Sequence, residues 1–343
     1  FIKYMNIKEL AKKLNLSITT VSRALGGYSD VSEKTRKRVI RFAKKYNYSP
    51  NPHARRLASG KSNSVGFVVP LYGLNSNSLN QTAFFQFIAG MSDKIQAEGV
   101  QFVLMFANSE EEERSAYNKL INDQKIENII LHNMKKNDPR IRMLNKKKLN
   151  FVAWGRTQGL NKFPWVDLDN IRAVELVVEY LIAKNHKKIA FVNISEKYNF
   201  AYQRITSFYK ILKKNNIKFN KNYYVTVNHE EPVLNAQIIK NLLQKYPKIT
   251  SLICSTEYSA VGAIKACNYL NLTIGKDISI IAFDGPVIEN FSSPALTAVS
   301  HPIKELGSQA INILLENSKK RSNNRNFLAK PKIIDRGSVD KIL

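Results

Sequence analysis

The chain has 343 residues, 44% hydrophobic and 23% charged, which is too long for one small domain and has the balance of a soluble globular protein. No apolar run is long enough to cross a bilayer and the opening FIKYMNIKEL lacks the segments of a secretory signal, so the membrane and secreted classes are set aside and the predicted location is the cytoplasm. The net charge of +26 is concentrated: residues 1–63 carry 15 Lys or Arg against 3 Asp or Glu, and such a patch gains affinity for phosphates by releasing counterions.

Ile7, Leu10, Ala11 and Leu14 follow the spacing of an amphipathic helix that stops at Asn15-Leu16. Ser17 is a good N-cap for a second short helix, with Val21, Ala24 and Leu25 inward and Ile18, Thr19, Ser22 and Arg23 outward, ended by Gly26-Gly27. Ser32 caps a third helix whose Val39, Phe42, Ala43 and Tyr46 form one stripe. Two readings fit this pattern: a helix-turn-helix over residues 5–50 that docks in a major groove, or a small bundle with a solvated basic face.

The stretch NIKELAKKLNLSITTVSRALGGYSDVSEKTRKRVIRFAKKYNYSPNPHARRLASGKSNSVGF closely resembles the DNA-binding segment of the lactose repressor family of bacterial regulators. By that resemblance Ile18, Thr19 and Arg23 sit where the family reads base edges, and Ser17, Thr20 and Ser22 lie nearer the phosphates. Arg23 can pair bidentately with O6 and N7 of guanine, which is worth about 1–3 kcal/mol of discrimination. Tyr48 and Asn51 match positions that contact the DNA backbone.

Pro50 and Pro52 separate this module from the rest of the chain, and a helix over residues 53–59 is too short to be stable alone. The resemblance implies that residues 51–63 are a hinge that folds when two copies meet in the minor groove, with Leu57 as the wedge and Ala54 and Ala58 permitting close approach. Without DNA, the same stretch reads as a flexible linker.

From residue 64 the β-rich runs VGFVV, QFVLMF, ENIIL, NFVAW, KIAFV, SLICS and ISIIAF alternate with helical segments. This rhythm predicts an α/β fold with parallel, doubly wound sheets, whose ligands bind beyond the carboxyl ends of the strands. Two sets of strands suggest two lobes, as in the periplasmic-binding-protein-like fold the family shares. The expected effector-binding and dimerisation domain is 64–343, with lobe 1 at about 64–168 plus 300–327 and lobe 2 at about 169–299 plus 328–343.

Several residues match the family's effector site. Phe85 and Phe84 of AFFQFIAG would lie at the cleft mouth or be core. In WGRTQGLNKFPWVDLDN, Arg156, Trp165 and Asp169 are pocket candidates, with Trp165 equally placed to be core. Arg204 of AYQRITSF matches an Arg that holds effector oxygens, a use suited to its fixed fork of donors. Asp284 of FDGP matches an acidic ligand able to accept two hydroxyl hydrogen bonds. The chain departs from the sugar-responsive pattern at Thr256-Glu257 and at Glu230, and the extra carboxylates favour a neutral hydroxyl-rich effector over a phosphorylated one.

Cys254 and Cys267 lack metal spacing and read as buried free thiols. There is no phosphate loop, no GxSxG elbow, and no zinc spacing among His53, His132, His186, His229 and His301, so neither catalysis nor a metal or other cofactor is expected. The expected protein is a homodimeric transcription regulator, a repressor, that binds a roughly palindromic operator under control of a mono- or oligosaccharide. The rivals are a sensor of a nucleobase or other small metabolite and a sugar-binding transport protein.

Overall fold

The computed structural model describes residues 5–46, 48, 64–72, 78–159, 162–228, 232–283, 293–320 and 325–342. Asn51, Ala54, Leu57 and Ala58 of the expected hinge lie outside them, as do Glu230 and Asp284. The chain divides into two compact units, Phe1–Asn63 and Ser64–Leu343.

Among the described residues the first unit holds three helices, each started by a side-chain cap. Helix α1 (Ile7–Leu14) opens on a capping box in which Asn6 and Glu9 satisfy each other's backbone N–H groups, and it ends at Asn15 in the left-handed region. Ser17 accepts from Thr20 N to start α2 (Ile18–Leu25), and Ser32 accepts from Thr35 N to start α3 (Glu33–Lys45). Leu10, Leu14, Val21 and Val39 have no exposed surface. At about 1.5–3 kcal/mol for each fully buried Val or Leu, this small core is what holds three short helices together.

The second unit contains two six-stranded sheets, ordered β11-β5-β4-β3-β1-β2 and β12-β10-β9-β8-β6-β7. The first comprises β1 (Ser64–Pro70), β2 (Gln101–Ala107), β3 (Asn128–Leu131), β4 (Asn150–Trp154), β5 (Trp165–Leu168) and β11 (Asn326–Ala329), all parallel. The second comprises β6 (Ile189–Asn193), β7 (Tyr224–Thr226), β8 (Ser251–Cys254), β9 (Ser279–Phe283), β10 (Thr297–Val299) and β12 (Ile333–Ile334), with only β12 antiparallel. Strands β1, β3, β6, β8 and β9 are buried along their whole length, as central strands covered on both faces must be.

The chain crosses between the sheets after β5, after β10 and after β11. Helix 303–320 packs on helix 78–97 of the first lobe so closely that a Cβ on Gly90 would lie 2.0 Å from Lys304 O, and one on Gly307 2.0 Å from Phe87 O. Cys254 and Cys267 are buried free thiols. Among the described residues no helix is long and apolar enough to cross a membrane.

Candidate functional site

On the first unit, α2 turns Ser17, Ile18, Thr19 and Ser22 to solvent while Thr20 and Arg23 are half-buried. Ser17 and Thr20 bond to each other at the helix start, their hydroxyls 2.8 Å apart. Ile18 is 43% exposed and so is available for apolar contact. Tyr48 is half-buried against the helical core, with its N–H on Ala43 O at 2.8 Å.

In the second unit a cavity of about 160 Å³ lies between the two sheets. Its walls come from residues at or just past strand ends: His132 after β3, Gly155 and Arg156 after β4, Ser255 after β8, and Phe283 closing β9. This is the placement expected of ligands in parallel sheets. Phe84, Trp154, Phe200 and His301 add aromatic surface. The Trp154 ring is held by Phe87, stacked at 4.2 Å and 2° from parallel.

Arg204 is the most constrained charge in the cavity. It sits one helical turn after Phe200 on helix 199–214, so both side chains share the cavity face. Its Nε donates to Asn170 Oδ1 at 2.8 Å, and Nη1 donates to the Ser255 carbonyl. The guanidinium carbon lies 3.8 Å from the Phe283 centroid and 5.0 Å from that of Phe200. Burial pulls its pKa down to about 9, with Asp167 opposing, so it is still cationic at neutral pH. His301 is pushed down to about 3 by burial and then by Arg204, so its imidazole is neutral.

Arg156 pairs with Asp167, Nε to Oδ2 at 2.8 Å, and its guanidinium lies 5.0 Å over the Trp165 ring. Burial raises the Asp167 carboxyl against the pull of Arg156. Thr256 caps helix 257–269 and, with buried Glu257, faces the cavity from the second lobe.

One expectation is corrected, and two that the sequence left open are resolved. Asp169 does not line the cavity; it caps helix 170–183 by accepting from Arg172 N, and Asp167, two residues earlier, takes the cavity position. Trp165 supports Arg156 from outside the cavity and packs on the first-lobe core. Phe84, 4% exposed, lines the cavity whereas Phe85 is 62% exposed and does not, because neighbours on a helix point about 100° apart. His132, Asn133, Met134, Trp154, Asn170, Phe200, Ser255, Phe283 and His301 were not singled out from the sequence. The general rule that ligands follow strands pointed near His132, Ser255 and Phe283, but nothing in the sequence marked Asn170 or His301.

A buried ion cluster stands behind the first-lobe wall. Arg140 donates to Glu113 Oε1 at 2.8 Å, to Asp138 Oδ2 at 2.6 Å and to the His132 carbonyl at 2.9 Å. Tyr72 donates to Glu113 Oε2. Burial alone would raise the Asp138 carboxyl, but Arg140 outweighs it and holds it below its ordinary value. Beside the cavity the lobes are tied by main chain: Lys136 N donates to Lys197 O and Asn199 N to Met134 O, both at 2.9 Å.

The family model for bacterial regulatory proteins of the lacI family matches residues 6–51, and that for a periplasmic binding protein-like domain matches residues 178–339. The HTH-type transcriptional regulator AglR of Rhizobium meliloti is 34% identical over 304 residues, covering 86% of this chain and 83% of that protein. RafR of Escherichia coli, also an HTH-type transcriptional regulator, is 30% identical over 283 residues and covers 82% of each. A solved lac repressor dimer bound to operator and the anti-inducer ONPF shares the fold, with a TM-score of 0.84 and 22% identity over 98% of this chain and 100% of that one.

Proposed function

This chain belongs to the lacI family of bacterial regulatory proteins and is a DNA-binding transcriptional regulator, and we propose that it is a cytoplasmic repressor whose hold on its operator is set by a neutral saccharide. The observation that carries the ligand class is Arg204, buried between the rings of Phe200 and Phe283 with the Asp167 carboxylate on the same lining. Apolar ring faces beside a few fixed donors and acceptors suit a molecule with CH-rich faces and hydroxyl edges. The described lining carries two arginines, Arg156 and Arg204, and two carboxylates, Asp167 and Glu257, with Arg156 paired to Asp167, so it presents no surplus formal charge for an ionic ligand.

The N-terminal unit supplies the DNA contacts: Ile18, Thr19 and Arg23 to base edges, and Ser17, Thr20, Ser22, Tyr48 and Asn51 to the backbone. Residues 51–63 act as the hinge, with Ala54 and Ala58 allowing close approach and Leu57 as the wedge. A homodimer matches a roughly palindromic site. The saccharide binds one arrangement of the lobes better than the other and thereby shifts the fraction of dimers able to hold both half-sites. Glu230 and Asp284 complete the effector contacts.

Calorimetric titration with mono- and oligosaccharides, purines and sugar phosphates, with Arg204→Ala as control, tests the ligand class. A saccharide that binds the wild type and not the variant is the expected result. A purine hit, or no binding in a protein that still binds DNA, overturns the saccharide reading and leaves the regulator standing.

A further inference from the structure

Arg23 on α2 is held from two sides by the turn after the helix. Its Nε lies 2.6 Å from Asp30 Oδ2 as an ion pair without hydrogen-bond alignment, and its guanidinium carbon is 4.7 Å from the Tyr28 ring centroid. The turn is shaped to present these groups. Gly26 has an ordinary φ of −80°, so its missing side chain serves space: a Cβ there would come within 2.8 Å of the Tyr28 ring. Gly27, at φ +76°, reverses the chain, and Arg36 Nη2 fixes the Tyr28 carbonyl at 2.6 Å.

Residues 1–63 contain three acids: Glu9, Asp30 and Glu33. Glu9 completes the cap of α1 and Glu33 pairs with Lys37, which leaves Asp30 as the one that meets α2. A carboxylate on a face that approaches phosphates weakens binding by repulsion. Its place beside the guanidinium of Arg23 therefore needs a geometric reason.

We propose that Asp30 and Tyr28 form a brace that pre-orients Arg23 to read guanine. Asp30 lies beside Nε as the counter-ion and Tyr28 covers the flat face, while among the described residues nothing bonds the Nη1–Nη2 end, the end that can reach O6 and N7 of a G·C pair. A fork fixed in advance loses less freedom on contact, and turning it towards a phosphate breaks the Asp30 pair. The brace rests on the reading of Arg23 as a base reader, and makes Asp30 a positioning residue for specificity.

The test selects sites from a random-sequence duplex library with the full-length wild-type chain. Affinities are then measured for the selected duplex, for its guanine variants and for an unselected duplex. Arg23→Ala identifies the guanine that Arg23 reads. At that position Asp30→Ala should reduce discrimination about tenfold while binding to unselected duplex holds or tightens. Asp30→Asn removes the counter-charge while keeping the size of the side chain, and should lose discrimination as Asp30→Ala does. Asp30 is 53% exposed, and urea unfolding checks that each variant folds. Discrimination that survives Asp30→Ala but not Arg23→Ala overturns the brace and leaves base reading intact. Equal tightening on both duplexes in Asp30→Ala and Asp30→Asn reduces Asp30 to an electrostatic brake, which also overturns the brace. If Arg23→Ala costs no guanine preference anywhere, base reading by Arg23 fails and the brace fails with it.

Discussion

Arg204 and Asn170 meet through Nε and Oδ1 at 2.8 Å, which links the helix after β6 to the helix that begins as β5 ends. Asn170 in turn donates from Nδ2 to the Leu168 carbonyl at 3.1 Å. Asn170→Ala leaves a buried donor unmatched and is expected to cost about 1–3 kcal/mol of stability. Arg204→Lys keeps the charge but loses the flat fork between two rings, so effector affinity should fall tenfold or more with the fold intact. Urea unfolding and calorimetry measure the two effects separately.

His132 is 2% exposed, and its Nε2 donates to Val68 O at 3.2 Å. Burial lowers its pKa from 6.5 to about 3. As pH falls the unfolded chain takes up this proton first, so the contribution of the neutral ring is whole above pH 6.5 and is lost progressively towards pH 3. At pH 5 the loss from this residue is about 2 kcal/mol. Urea midpoints measured from pH 7 to pH 5 should fall less steeply in His132→Gln; an identical slope would refute the assignment.

Gly90 and Gly307 let helices 78–97 and 303–320 touch backbone to backbone. Adding a methyl at either position forces the pair apart, at an expected cost of about 3 kcal/mol or more. Once separated by one methyl the helices have room for the other. The double variant should therefore lose less stability than the two singles together.

Arg140→Met removes the cation from between Glu113 and Asp138. Stranding two buried acids should cost about 3–5 kcal/mol in denaturant unfolding. Effector affinity should fall as well, because Arg140 also holds the carbonyl of His132 in the cavity wall.

Long elements were legible because their patterns carry their own evidence. The stripe Leu10, Leu14, Val21 and Val39 marked the small core, and the runs VGFVV and ISIIAF marked buried central strands. Strands β5, β7, β10, β11 and β12 went unrecognised; each spans at most four residues and is ordered by its neighbour more than by its own composition. In the cavity, Phe84, Arg156 and Arg204 are legible by resemblance, and Thr256 and Glu257 as departures from it. Asp167 was missed for Asp169 because VDLDN offers two acids, and only the strand's register and the helix cap decide which faces inward. Asn170 and His301 reach the cavity through chain crossings that no local pattern reveals.

The tie between the lobes beside the cavity uses main-chain atoms, from Lys136 to Lys197 and from Asn199 to Met134. Of the natural substitutions only proline deletes a backbone donor, so mutation can rework Arg156, Phe200 or Glu257 while this tie persists. The contacts that hold the lobes together beside the cavity are therefore less open to change by substitution than the side chains that line it.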